Sequence, residues 1–280
     1  MESRPLRYFV AVAEELNFAR AAERLGISAP PLSRAIRALE ADLGATLFER
    51  TTHHVALTPA GEVLLAEARI ALDALQAAGR RAQRAANTEP KLVLAAKADG
   101  DAGLLEPILE RYAAESASAA LPIEVRLCGM GEQPLLLRRG EADAALAIEP
   151  YDRTGLDAEP LHTEPRLAAL PAADPRVSLS ELTLADLGLP PQSAGKPPEP
   201  DGIRDLPQLL TRVALGETVA LLPRSVCRRY ERPGLAYRPV ADAAPAVLTI
   251  AWPQQSRSMA TAALVRAAVA AAAVASGRGR

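Results

Sequence analysis

Residues 17–43, NFARAAERLGISAPPLSRAIRALEADL, decide the fold of the N-terminal part of this chain. Asn17 suits the cap of a short helix whose core side is Ala21, Ala22 and Leu25. Gly26-Ile27 breaks that pattern, because Gly26 can take a left-handed backbone. Ser28 can cap a further helix, with Pro30 and Pro31 in the first turn, where N–H groups have no helical partner. At roughly 100° per residue, Leu32, Ile36, Leu39 and Leu43 of that helix lie within about 60° of one another. Pro30, Arg34, Arg37 and Ala41 point the opposite way, with Ser33 on the flank. Upstream, Leu6, Phe9, Val10, Ala13 and Leu16 recur at helical spacing and form the buried stripe of an earlier helix. Two short helices joined by a glycine turn, the second with an outward polar face, describe a helix-turn-helix, whose second helix enters the DNA major groove. Arg34 and Arg37 can reach phosphates or guanine edges, and Ser33 can donate to either. An ordinary solvated helix face shows the same residue types.

Downstream, Thr58 can cap and Pro59 can open a long helix. Leu65, Ala68, Leu72, Leu75, Gly79 and Ala82 follow at alternating steps of three and four, an a/d seam that suits a twofold dimer. Packing on the chain's own core is the other use of such a stripe. Residues 87–90, Asn-Thr-Glu-Pro, read as a hinge, because Pro90 disfavours helix at Glu89.

The chain has 280 residues and a net charge of −2, which excludes a uniformly basic nucleic-acid coat but not a local basic face. Two cysteines far apart, Cys128 and Cys227, make neither a disulfide framework nor a four-ligand zinc site. They suit a reducing compartment, and with no signal-peptide pattern the expected location is the cytoplasm. The alanine-rich stretch from Met259 to Ala275 carries Arg266 and is a poor membrane span. No G-x-S-x-G, Walker loop, dinucleotide glycine fingerprint or clustered metal ligands occur, so the sequence points away from an enzyme and implies no cofactor and no metal.

The strings LRYFVAVAEELNFARAAERLGIS, LSRAIRALEADLGATLFERT and LTPAGE, in order between Leu6 and Glu62, resemble the DNA-binding region of the LysR-type transcriptional regulators. The resemblance implies an all-α winged helix-turn-helix over residues 1–57, with its wing near residues 50–57. A linker and dimerisation helix over 58–88 and an effector-binding domain over 89–280 would follow. The partners it implies are double-stranded DNA at a promoter or operator, a small-molecule effector, and a second copy of the chain in a homodimer, with dimers pairing into a homotetramer. DNA contacts would fall on Ser28, Ala29, Pro30, Ser33, Arg34 and Arg37 of the recognition helix, and on Arg50, Thr52, His53 and His54 of the wing. Two departures stand out. Ala29 occupies the place of a glutamine usual in the family. Thr51-Thr52-His53-His54 replaces the glycine and arginines common in the wing. Neutral histidines neutralise no phosphate, so the wing contact is expected to strengthen from about pH 8 to about pH 6.

Beyond Lys91, short apolar runs alternate with amphipathic stretches, the pattern of an α/β domain. Strands are expected at 92–96, 123–128, 144–148, 167–170, 219–222 and 247–252, and helices at 104–112, 134–138, 179–187 and 206–215, which read as two βαβ sets with a final helix, two α/β lobes facing each other. EVRLCGMGEQPLLLRRGEADAALAI and GETVALLPRSV continue the family resemblance. It implies the two-lobed fold of type 2 periplasmic binding proteins, lobe one at 91–160 and 252–280 and lobe two at 161–251, with the effector between them. Ligands of open α/β sheets sit beyond the carboxyl ends of strands. That places Lys97, Asp99, Gly100, Asp101, Gly129, Met130 and Glu149 at the cleft, with Ser193 and Lys196 from lobe two. Asp99 and Asp101 suit a cationic or polyhydroxyl ligand, and Lys97 can neutralise one of them. A cleft that binds nothing, on a DNA-binding repressor or architectural protein, stays open as the alternative.

Overall fold

The computed structural model describes residues 2–50, 54–86, 90–115, 121–190 and 205–277. The chain divides into two compact units, 1–83 and 84–280. In the first, helices α1 (Ser3–Glu15), α2 (Phe18–Leu25) and α3 (Ala29–Leu43) are followed by the strands β1 (Phe48–Arg50) and β2 (Val55–Leu57) and the long helix α4 (Pro59–Ala85). Phe9, Val12, Ala21, Leu32, Ile36 and Phe48 meet in one core. Two residues of the expected stripes lie outside it. Leu16 adopts a left-handed conformation (φ +45°) that ends α1, and Leu43 precedes the left-handed Gly44 that ends α3; both are exposed because the helix stops at them.

The start of α4 is built into this core. The Thr58 hydroxyl donates to the Thr46 carbonyl at 2.7 Å and accepts from the Gly61 N–H at 3.0 Å. A Cβ at position 61 would run into the Leu47 carbonyl oxygen, so only glycine permits this approach. Leu65, Ala68 and Leu72, half of the expected dimer seam, pack against the helix-turn-helix of their own chain. The large apolar side chains that α4 leaves exposed are Val63, Ile70 and Leu75.

The second unit holds two sheets. One has five strands in the order β4 (Ile123–Cys128), β3 (Leu92–Lys97), β5 (Ala144–Ile148), β10 (Ala246–Pro253) and β6 (Leu156–Glu164). β3 runs parallel to β4 and β5, while β10 runs antiparallel to both its neighbours. Helices α5 (Leu105–Glu115) and α9 (Met259–Gly277) cover one face, α9 through Leu264, Ala267, Ala268 and Ala271, and α6 (Gln133–Arg138) lies on the other. The small residues let helix and sheet approach closely. No described helix is long and apolar enough to cross a membrane. The other sheet is β8 (Ala220–Pro223), β7 (Arg166–Pro171) and β9 (Leu235–Pro239), all antiparallel, packed against α7 (Leu206–Ala214) and α8 (Arg224–Arg229).

Three expectations are corrected. β10 pairs with β6 along its whole length, from Ala246 opposite Glu164 to Pro253 opposite Leu156, so residues 161–164 and 246–251 belong to lobe one. The chain crosses between lobes at Glu164–Arg166 and again between Pro239 and Ala246. Second, the stretch 179–187 is not an α-helix. The Asp186 carboxylate accepts from the Thr183 N–H and hydroxyl at 2.8 and 2.7 Å, closing a local turn that competes with helix. Only single 3-10 turns form, at Pro175–Ser178 and Ala185–Leu187. Third, the strands of lobe two are antiparallel rather than a second βαβ set.

Arg84, near the end of α4, belongs to the second unit and is fastened within it. Arg84 donates to the Asp143 carboxylate and to the Gly140 carbonyl, both at 2.7 Å, and Asp143 also accepts the Val93 N–H at 2.9 Å. The hinge expected at residues 87–90 lies mostly outside the described residues.

Burial pushes the Cys128 thiol up to about 11 and the Cys227 thiol up to about 12, with Glu132 and Glu164 adding to the rise. At about pH 8 roughly one Cys128 in a thousand is then a thiolate, the form that reacts. Iodoacetamide at that pH should modify the folded chain at least about tenfold more slowly than the chain in denaturant. Equal rates by mass spectrometry would make one of these thiols a reactive one.

Candidate DNA-reading face and interlobe cleft

Asn17 positions α2, its Oδ1 accepting from the Ala19 and Arg20 N–H groups at 2.9 and 3.1 Å. Gly26, at φ +66°, turns the chain toward α3. Leu32, Ile36 and Leu39 are buried, which fixes the rotation of α3 and leaves Ser28, Pro30, Arg34 and Arg37 exposed. Ser33 and Ala29 are half-buried on its flank. Ser28 makes no side-chain cap bond. Among the described residues, Arg34 and Arg37 have no hydrogen-bond or ion-pair partner, so α3 presents two uncommitted cations on one face.

The wing is the β1–β2 hairpin, with Phe48 opposite Leu57 and Arg50 opposite Val55. Arg50 turns back to α3. Its guanidinium donates to Glu40 Oε2 at 2.7 Å and sits 4.9 Å from the centre of the Phe18 ring. The other Glu40 oxygen accepts from the Leu47 and Phe48 N–H groups at 3.0 and 3.3 Å. One carboxylate thus joins the recognition helix to the wing, and Arg50 braces that junction. Thr52 and His53 lie outside the described residues, and His54 is exposed.

In the second unit, the cleft residues of lobe one come together at the carboxyl ends of β3, β4 and β5. Lys97 ends β3, half-buried, and its ammonium makes no hydrogen bond or ion pair among the described residues. Burial lowers its pKa, while Asp99, Cys128 and Asp205 of lobe two counter that shift. Asp99 is engaged across the cleft: Tyr230 Oη and Arg229 Nη1 donate to its two oxygens at 2.6 and 2.7 Å. These two donors hold its carboxyl below the usual range. Asp101 is buried, and its Oδ2 accepts from the Leu105 N–H at 3.0 Å at the start of α5. Its other oxygen is 3.7 Å from Arg229. The two carboxylates therefore already have cationic or hydrogen-bonding partners, which weakens the expectation of a cationic ligand. Gly100 donates to the Lys97 carbonyl, Gly129 donates to Glu132, and Glu149 pairs with Arg153, while Met130 is half-buried nearby. Ser193 and Lys196 lie outside the described residues.

A cavity of about 260 Å³ opens beside this contact, lined by Asp99, Ala102, Gly103, Ser225, Arg228 and Arg229. Ser225, Arg228, Arg229 and Tyr230 were not among the sequence candidates. Ser225 lies within the segment GETVALLPRSV and the other three come just after it, and a run of two arginines and a tyrosine after a strand was the available signal.

Residues 3–62 match the bacterial regulatory helix-turn-helix proteins of the lysR family, and residues 85–273 match the LysR substrate binding domain. The transcriptional regulator AlsR of Bacillus subtilis (strain 168) is 38% identical over 188 residues, which span 67% of this chain and 62% of AlsR. The chain thus matches less than two thirds of that relative's length. XapR of Escherichia coli (strain K12) is 33% identical over 89% of this chain and 91% of its own. The crystal structure of CbnR, a LysR family transcriptional regulator, superposes with a TM-score of 0.57 at 25% identity, covering 97% of this chain and 99% of CbnR. With both of its parts matched in order, the chain belongs to the LysR family of helix-turn-helix transcriptional regulators.

Proposed function

We propose that the chain is an effector-responsive transcription regulator that binds operator DNA as a homodimer in the bacterial cytoplasm, with dimers pairing into a tetramer. Residues 1–57 read DNA, residues 58–88 link and pair the copies, and residues 89–280 respond to the effector. The observation that carries the reading is α3: its leucine face is buried, and the Arg34 and Arg37 guanidinium groups stand outward with no partner among the described residues. Ser33, Arg34 and Arg37 then meet base edges or phosphates, Ser28, Ala29 and Pro30 lie against the backbone, and Thr52, His53 and His54 are assigned DNA contacts from the wing, while Arg50 braces the junction of β1 with α3. For pairing, α4 offers Val63 and Ile70, one heptad apart and 67% and 41% exposed.

The effector is assigned to the interlobe cleft, where Lys97 supports the reading as a half-buried ammonium with no hydrogen-bond partner among the described residues. Gly100, Gly129, Met130 and Glu149 are assigned to the lobe-one side, and Ser193 and Lys196, outside the described residues, are assigned to the site on sequence alone. A second reading, a repressor whose cleft takes no effector, draws on Asp99 and Asp101 being engaged within the protein.

Selection of bound fragments from random DNA at about 150 mM salt should recover an interrupted palindrome. No consensus would remove the dimeric reader. On the recovered site, Arg34→Ala should weaken binding by about 1–3 kcal/mol, and unchanged affinity would place Arg34 outside the interface. Ile70→Asp should shift the chain to monomer in sedimentation at micromolar concentration, and a persisting dimer would move the pairing surface off this face of α4. A metabolite that raises the Tm of the wild type should lose that effect with Lys97→Met, whereas an equal rise in both would place its site away from the cleft.

A further inference from the structure

Helix α8 is tied to lobe one at both ends. Near its start, the Ser225 N–H and hydroxyl donate to the Glu164 carboxylate at 2.7 and 2.6 Å. At its end, Arg229 and Tyr230 donate to Asp99 at 2.7 and 2.6 Å. Between these ties the helix belongs to lobe two, with Val226 and Cys227 buried in the core beneath β7 and β8. The two ties differ in leverage. Glu164 sits at a crossing between the lobes, so opening about that crossing moves Ser225 little. The Asp99 contact is about 6 Å further along, four residues at roughly 1.5 Å per helical residue, and is the one that opening breaks.

We propose that Asp99 is a latch: in the effector-free protein it supplies a carboxylate to Arg229 and Tyr230 and thereby holds the lobes together. This inference rests on the reading of the interlobe cleft as the effector site. A ligand that enters between the lobes has to displace the carboxylate from these two donors, so the latch sets how much binding is needed to open the domain. Lys97 lies two residues before Asp99, and the Asp99 carboxylate favours its charged form against the burial that lowers its pKa. The side chains of Asp99 and Arg229 are 33% and 47% exposed, so solvent screens the pair and the latch is weak enough for a small ligand to break.

Hydrogen exchange of the full chain without effector tests this, read on residues 98–104 and 224–232 in the wild type, Asp99→Asn, Arg229→Gln and the double variant. Each single change should speed exchange in both segments by about fivefold, and the double variant should go no further than either single one. Multiplicative effects in the double variant, or an effect confined to the mutated segment, would overturn the latch. Tyr230→Phe removes one donor without touching a charge and should give a rise of about twofold in the segment around Asp99; no rise there would also overturn it. Because exchange is read without effector, failure here leaves the cleft reading standing. That reading falls instead if the Lys97→Met comparison fails.

Discussion

The antiparallel strand β10 is the constraint on which the second unit depends. It lies between β5 and β6 and draws residues 246–253 back into the sheet begun at Leu92. Lobe one is therefore made from both ends of the unit, and lobe two hangs from it by two chain crossings. A lobe held by two adjacent strands can rotate as a body without loss of its own core, since its apolar clusters are separate from those of lobe one. Every interaction across the cleft then acts on that rotation. Ligand response needs only a difference in affinity between two settings of the lobes.

The DNA-reading unit solves a different problem, rigidity. The Glu40 carboxylate receives two backbone N–H groups and one guanidinium, and charge-assisted bonds of this kind are the stronger class. Phe18, Phe48 and Arg50 stack beside it. The recognition helix and the hairpin are thereby fixed to each other before any DNA arrives, which limits the ordering cost of binding. The same geometry explains why an arginine of the wing is directed to protein rather than outward.

The helices around Asn17, Ser28 and Thr58 were legible because each carries its own signal in sequence: a cap, a glycine stop, a leucine stripe. The strands β3, β4, β5 and β10 of lobe one were legible as short apolar runs. What escaped was decided by partners distant in sequence. Leu156–Glu164 alternates too weakly to announce a strand and becomes one through pairing with β10, and Leu235–Pro239 becomes one through β7. The stripe on α4 read as a dimer seam because periodicity cannot tell whose core a leucine enters, and Leu65 and Leu72 enter their own. The cleft was half legible. Strand ends located Lys97, Asp99 and Asp101, but the two arginines and the tyrosine after β8 carry no sign of which carboxylate they meet, since Arg229 and Tyr230 sit 130 and 131 positions from Asp99.

Asp99 also has a left-handed backbone, at φ +59°, which aspartate tolerates better than most residues but which glycine adopts with less strain. Aspartate and glycine codons differ by one nucleotide. A single transition there would take away the carboxylate and relax the main chain together, so losing the cross-lobe contact costs the fold little. Drift under selection for stability alone runs toward an untied cleft, and keeping aspartate at this position requires selection for something else.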